Sequence, residues 1–112
     1  MEPKTFFIAG VQHHQLRDVI DDLSEGDFLD LVPEPTNKFD PNAVRIEHEG
    51  TMCGYVPRKF SSEVMAAIDL ASEDAPIICQ ISAIDPDAKT WEMCEVTVME
   101  EGYEGDLDDK EF

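Results

Sequence analysis

Three prolines within nine residues, Pro33, Pro35 and Pro41, constrain this chain more than any other feature, because each fixes φ and none can donate a hydrogen bond to a strand ladder. They end the apolar run Phe28 to Val32 and stiffen the segment Glu34-Pro35-Thr36-Asn37-Lys38-Phe39-Asp40-Pro41-Asn42 that follows. The residues before two of them, Glu34 and Asp40, are pushed toward extended backbone. Asn37 and Asp40 carry short polar side chains that bond nearby backbone and favour turns. Phe39 sits between them with no apolar neighbour in sequence, so this aromatic needs either a core or a ligand. The braced loop leads into Ala43-Val44-Arg45-Ile46-Glu47-His48, which alternates apolar and polar residues. After a turn at Glu49-Gly50, Thr51-Met52-Cys53-Gly54-Tyr55-Val56 follows. This pattern predicts a β-hairpin.

Further strands are predicted at Phe6 to Gln12, Phe28 to Val32, Ile77 to Ile84 and Glu92 to Met99, the last two joined by the turn Asp85-Pro86-Asp87-Ala88. Leu16, Val19, Ile20 and Leu23 recur at helical spacing, with Asp18, Asp21 and Asp22 opposite them and Gly26 just beyond. A second helix is predicted to begin near Pro57, with Ser61 or Ser62 as N-cap and a stripe of Val64, Met65, Ala67, Ile68 and Ala71. The fold class is therefore mainly β with short α. We expect a small six-stranded antiparallel barrel of the OB-like or SH3-like kind, carrying two short helices.

Length and charge narrow the function. The 112 residues, 42% of them apolar, suit one modest core. The formal charge of −18, from 8 basic and 26 acidic residues, opposes long-range attraction of nucleic acid. Screening over about 8 Å at physiological salt still allows a locally neutral or basic face to meet phosphate. The charge is uneven. Lys38, Arg45, Arg58 and Lys59 fall in or beside the braced loop and hairpin, whereas from Glu100 onward seven acids face only Lys110. We expect residues 1–99 to form the domain and residues 100–112 an acidic, solvated, disordered tail.

Cys53, Cys79 and Cys94 are odd in number and widely spaced, which points to reduced, structural thiols. No apolar run approaches the roughly 18 residues a membrane span requires, and no leader pattern is seen, so a cytoplasmic protein without membrane contact is expected. His13 and His14 are adjacent and would point to opposite faces of a strand, so they do not form a metal pair. No phosphate-cradling glycine loop occurs, and Asp85 with Asp87 lacks the spacing of a calcium loop. Neither an enzyme nor a resident metal or cofactor is implied.

The ordered set Phe6-Phe7-Ile8-Ala9-Gly10-Val11, the loop Glu34 to Val44, Gly54-Tyr55-Val56-Pro57 and the helical stretch after Arg58 resembles the HIRAN domain family, in the family's own order and over more than half the chain. The resemblance implies a non-catalytic module that reads the free 3′-hydroxyl end of single-stranded DNA, accessory to DNA repair or remodelling. Such a site needs flat faces for bases, an acceptor for the terminal hydroxyl and donors for phosphates. On that reading Phe39 and Phe7 are stacking faces and Asp40 is the hydroxyl acceptor. Asn37 would bond a base or sugar edge, Tyr55 would stack or donate, and Lys38, Arg58 and Lys59 would meet phosphates. Each has a plainer alternative: Phe7 also fits a core strand, Asp40 before Pro41 a turn start, and the three cations ordinary solvated charges. The second reading is an acidic protein-interaction module that docks a basic partner, such as a helicase or nuclease subunit, or mimics nucleic acid.

Overall fold

The computed structural model describes residues 2–10 and 16–102. Its order is β1 (Lys4–Phe7), α1 (Leu16–Val19) continued by a 3-10 turn (Ile20–Asp22), β2 (Phe28–Pro33), β3 (Val44–His48), β4 (Thr51–Tyr55), α2 (Arg58–Leu70), β5 (Ile77–Ile84), a second 3-10 turn (Thr90–Glu92) and β6 (Cys94–Glu100). All pairings are antiparallel, in the order β1-β6-β5-β2-β3-β4. The six strands with two short helices form a curled half-barrel, as the strand pattern predicts. Among the described residues its two edges meet where Ala9 and Tyr55 exchange backbone hydrogen bonds of 2.8 and 2.9 Å.

The curl has local causes. In β5 the register slips between Ile81 and Ala83, and the extra residue, Ser82, bonds Glu95 across the ladder. A second slip, between Ile46 and Glu47 of β3, leaves Cys53 of β4 as the extra residue. Such bulges strengthen the right-handed twist and bend the sheet toward closure. The β3–β4 turn places Glu49 at φ 48° and Gly50 at φ 85°, the doubly positive pair that matches hairpin twist.

Period-2 alternation sends Val44 and Ile46, Cys79 and Ile81, and Cys94, Val96 and Val98 inward, where they pack with Ile8, Leu16 and Val64. α2 lays Ser61, Val64, Met65 and Ile68 on this core, and Phe60 stacks on Phe6 with ring centroids 5.5 Å apart.

Several boundaries differ from expectation. The first strand begins at Lys4 and ends at Phe7, and the expected continuation at Val11 and Gln12, like His13 and His14, lies outside the described residues. The α2 N-cap is Pro57 and not Ser61 or Ser62: the helix opens at Arg58, as expected near Pro57, and both serines lie within it, with Phe60 N donating to Pro57 O at 2.8 Å. The first helix keeps α geometry only to Val19 before tightening. The last strand starts at Cys94, since Thr90–Glu92 winds into a 3-10 turn. Glu100 belongs to β6 and Glu101 N bonds Pro76 O, while the acidic run beyond Gly102 lies outside the described residues.

Candidate nucleic-acid interface

The β2–β3 loop holds its shape through its own polar side chains. Asn37 Oδ1 accepts from the backbone N–H groups of Phe39 and Asp40 at 2.8 and 3.0 Å. Asp40 Oδ1 accepts from Asn42 N at 2.9 Å, and Asp40 O from Ala43 N at 3.0 Å. These are the turn bonds that Asn and Asp favour. Two bonds anchor the loop to α2: Arg58 Nη2 donates to Phe39 O, and Ser61 Oγ donates to Asp40 Oδ2, each at 2.9 Å.

Beneath the loop lies Glu34. Its carboxylate accepts from Asn37 Nδ2 at 3.0 Å, Tyr55 Oη at 2.9 Å and Arg45 Nη1 at 2.9 Å, joining loop, β3 and β4 in one network. Its side chain is only 18% exposed. Burial alone would raise the carboxyl, but the hydrogen bonds from Asn37 and Tyr55 and the Arg45 charge hold it below its ordinary value. Burial first, and then the Glu34 hydrogen bond and charge, push the Tyr55 phenol upward. Arg45 is shared with Glu47, which keeps the cation in place.

Above this network is an open concavity of about 340 Å³, lined by Ala9, Gly10, Asn37, Phe39, Asp40, Ala43, Tyr55, Val56 and Arg58. Two backbone features set its floor: the Ala9–Tyr55 pair, and Gly10, whose φ of 69° is rarely reached by residues with a side chain. Phe39 is 85% exposed, so its ring stands free of the core.

Of the residues singled out from sequence, Asn37, Phe39, Asp40, Tyr55 and Arg58 line this one concavity. Lys38, Lys59 and Phe7 lie outside its lining. Lys38 and Lys59 are exposed, Lys59 with its Nζ 5.1 Å above the Phe60 ring. Phe7 is 41% exposed on the outer side of β1, since its neighbours Phe6 and Ile8 take the inward positions. Asn37 is more brace than reader, with its carbonyl accepting twice and one amide hydrogen already donated. Sequence reasoning did not find the roles of Glu34, Arg45 and Ser61. Their partners on other elements are 11 and 21 positions away, and the local signal was an acid placed before a proline with Asn37 three residues on.

The sequence matches the HIRAN domain family over residues 5–99. The chain belongs to that family. Among solved structures, the HIRAN domain of human HLTF superposes with a TM-score of 0.68 at 12% identity, covering 88% of this chain and 74% of that one. A protein from Lactobacillus plantarum superposes with a TM-score of 0.70 at 16% identity, covering 86% and 89%. Among curated protein sequences none matches. The HIRAN domain is a DNA-binding module and not a catalytic one, so membership supports a nucleic-acid-binding role here. No described helix is long and apolar enough to cross a membrane.

Proposed function

We propose that this HIRAN domain captures the free 3′-hydroxyl end of single-stranded DNA in the concavity between the β2–β3 loop and the start of α2, as a module accessory to DNA repair or remodelling beside a helicase or nuclease partner. The observation that carries the reading is the exposed Phe39 ring standing beside the half-buried Asp40 carboxylate in one open hollow.

Asp40 already accepts one bond at each oxygen, from Asn42 N and Ser61 Oγ. A carboxylate has about four lone-pair sites, so acceptor capacity remains for a hydroxyl proton. The same negative charge repels a phosphate, which gives discrimination by repulsion between a 3′-hydroxyl and a 3′-phosphate. Phe39 supplies a stacking face for the terminal base, and Tyr55 a second aromatic wall. Arg58 stands at the rim, tied through one guanidinium nitrogen to Phe39 O, and Lys38 and Lys59 meet backbone phosphates as the strand leaves. Phe7, on the outer side of β1, extends the stacking surface for the following bases.

The test is a fluorescence titration with short oligonucleotides differing only at the 3′ end. The expected result is tighter binding of the 3′-hydroxyl form, with the preference abolished in Asp40→Ala and in the isosteric Asp40→Asn. Equal binding of both ends, or a preference that survives both variants, overturns the proposal.

A further inference from the structure

A second depression, of about 600 Å³, shares no lining residue with the first. It opens where the sheet comes apart. β2 runs to Pro33 and β5 starts at Ile77, yet their ladder is registered only at Phe28↔Gln80 and Leu29↔Cys79. Asp27 O accepts from Ile81 N on this side of β2, and the alternation of an antiparallel strand turns the backbone of Leu31, four positions on, to the same side. Leu31 and Ile77 thus border the gap beyond the last registered pair. Ile68 and Ala71 of the α2 end, with Ile78 and Pro76, give the gap an apolar bed. Phe28, at 60% exposed, forms an apolar shoulder.

The rim is acidic. Asp30, Glu73 and Glu101 line the depression and, among the described residues, no Lys or Arg does. The C-terminus of α2 also ends here, with no basic residue in its last turn, so its partial negative charge adds to the three carboxylates. A phosphate backbone is repelled by such a surface; a cation is drawn to it.

We infer that this gap is a docking groove for an extended, basic and apolar segment of a partner protein. The segment adds its backbone alongside Leu31 and Ile77, sets an apolar side chain on Ile68 at the core-facing side, where Leu31 and Ile77 also pack, and directs Lys or Arg side chains to Asp30, Glu73 and Glu101. This is strand addition at a sheet discontinuity, with main-chain bonds giving affinity and alternate side chains giving specificity. The groove is independent of the end-binding concavity, so a module with both sites joins a nucleic-acid terminus to a cationic protein segment.

The experiment uses the full chain and a fluorescent peptide of alternating Lys and Val, compared with the same peptide carrying Glu for Lys. Amide NMR shifts locate binding, and anisotropy measures it. The expected result is shifts centred on Leu31, Ile68 and Ile77, weak or absent binding of the Glu peptide, and a loss of roughly tenfold in Glu73→Lys/Glu101→Lys, whose exposed sites leave the fold intact. The preference for a 3′-hydroxyl over a 3′-phosphate end is expected to survive in that variant, because the two depressions share no lining residue. Equal binding of the two peptides, shifts confined to residues 34–44, or undiminished affinity in the double variant overturns the inference.

Discussion

Tyr55 donates its hydroxyl to Glu34 Oε1 at 2.9 Å, which fastens the end of β4 beneath the first residue of the proline-braced loop. Through Glu34 the same bond reaches Arg45 and Asn37, so the hollow's wall and its loop are one hydrogen-bonded unit. Removing the hydroxyl alone, in Tyr55→Phe, leaves the ring and is expected to cost about 1 kcal/mol in urea unfolding. Glu34→Ala removes the acceptor shared by three donors at once, and is expected to cost about 2 to 3 kcal/mol, measured the same way.

Phe39→Ala separates binding from folding. The ring stands free of the core, so unfolding free energy is expected to stay within about 0.5 kcal/mol of the parent. Oligonucleotide affinity is expected to fall roughly 5- to 150-fold in anisotropy titrations, the equivalent of one stacked base.

Acid reveals Glu34. Its folded carboxyl holds its proton less tightly than the ordinary value of 4.5 that applies to the unfolded chain. The unfolded state therefore binds more protons in that window, and the stabilisation is fully present above pH 4.5 and lost as pH falls through the lower folded value. The urea midpoint of the parent is expected to fall more steeply below pH 4.5 than that of Glu34→Gln. Tyr55 acts at the other extreme: its folded phenol is raised above 10.0, so its contribution is intact below that pH and lost as pH climbs through the folded value. Tyr55→Phe is expected to flatten the alkaline limb of the same plot.

Cys53, Cys79 and Cys94 are free and buried, and burial pushes the Cys53 thiol to about 11, the Cys94 thiol to about 12 and the Cys79 thiol upward as well. Thiols held protonated out of solvent are poor nucleophiles. Native protein is expected to resist a thiol-reactive dye at neutral pH over the time in which urea-unfolded protein labels completely at all three.

The strands were legible because each carries its own signal: alternation in Val44 to His48, a Glu-Gly turn after it, prolines at the stops. The start of α2 near Pro57 was legible too, but its cap was not: Ser61 has the chemistry of an N-cap yet lies inside the helix, where its hydroxyl faces Arg58 O and Asp40. The loop residues Asn37, Phe39 and Asp40 stood out through composition and local turn chemistry. Placing Tyr55 and Arg58 beside them depended on the resemblance, because no local pattern records contacts between residues 19 and 21 positions apart. Glu34 draws one donor, Asn37, from its own loop and two, Arg45 and Tyr55, from β3 and β4, and only the folded sheet brings those two beside it.

Among the described residues the sheet's two rims are latched by one rung, Ala9 with Tyr55, and both residues also line the hollow. A guest seated there would rivet the seam, slowing hydrogen exchange at both amides and stiffening the whole shell from one point. Seam and socket being the same place, occupancy there would be read out as rigidity.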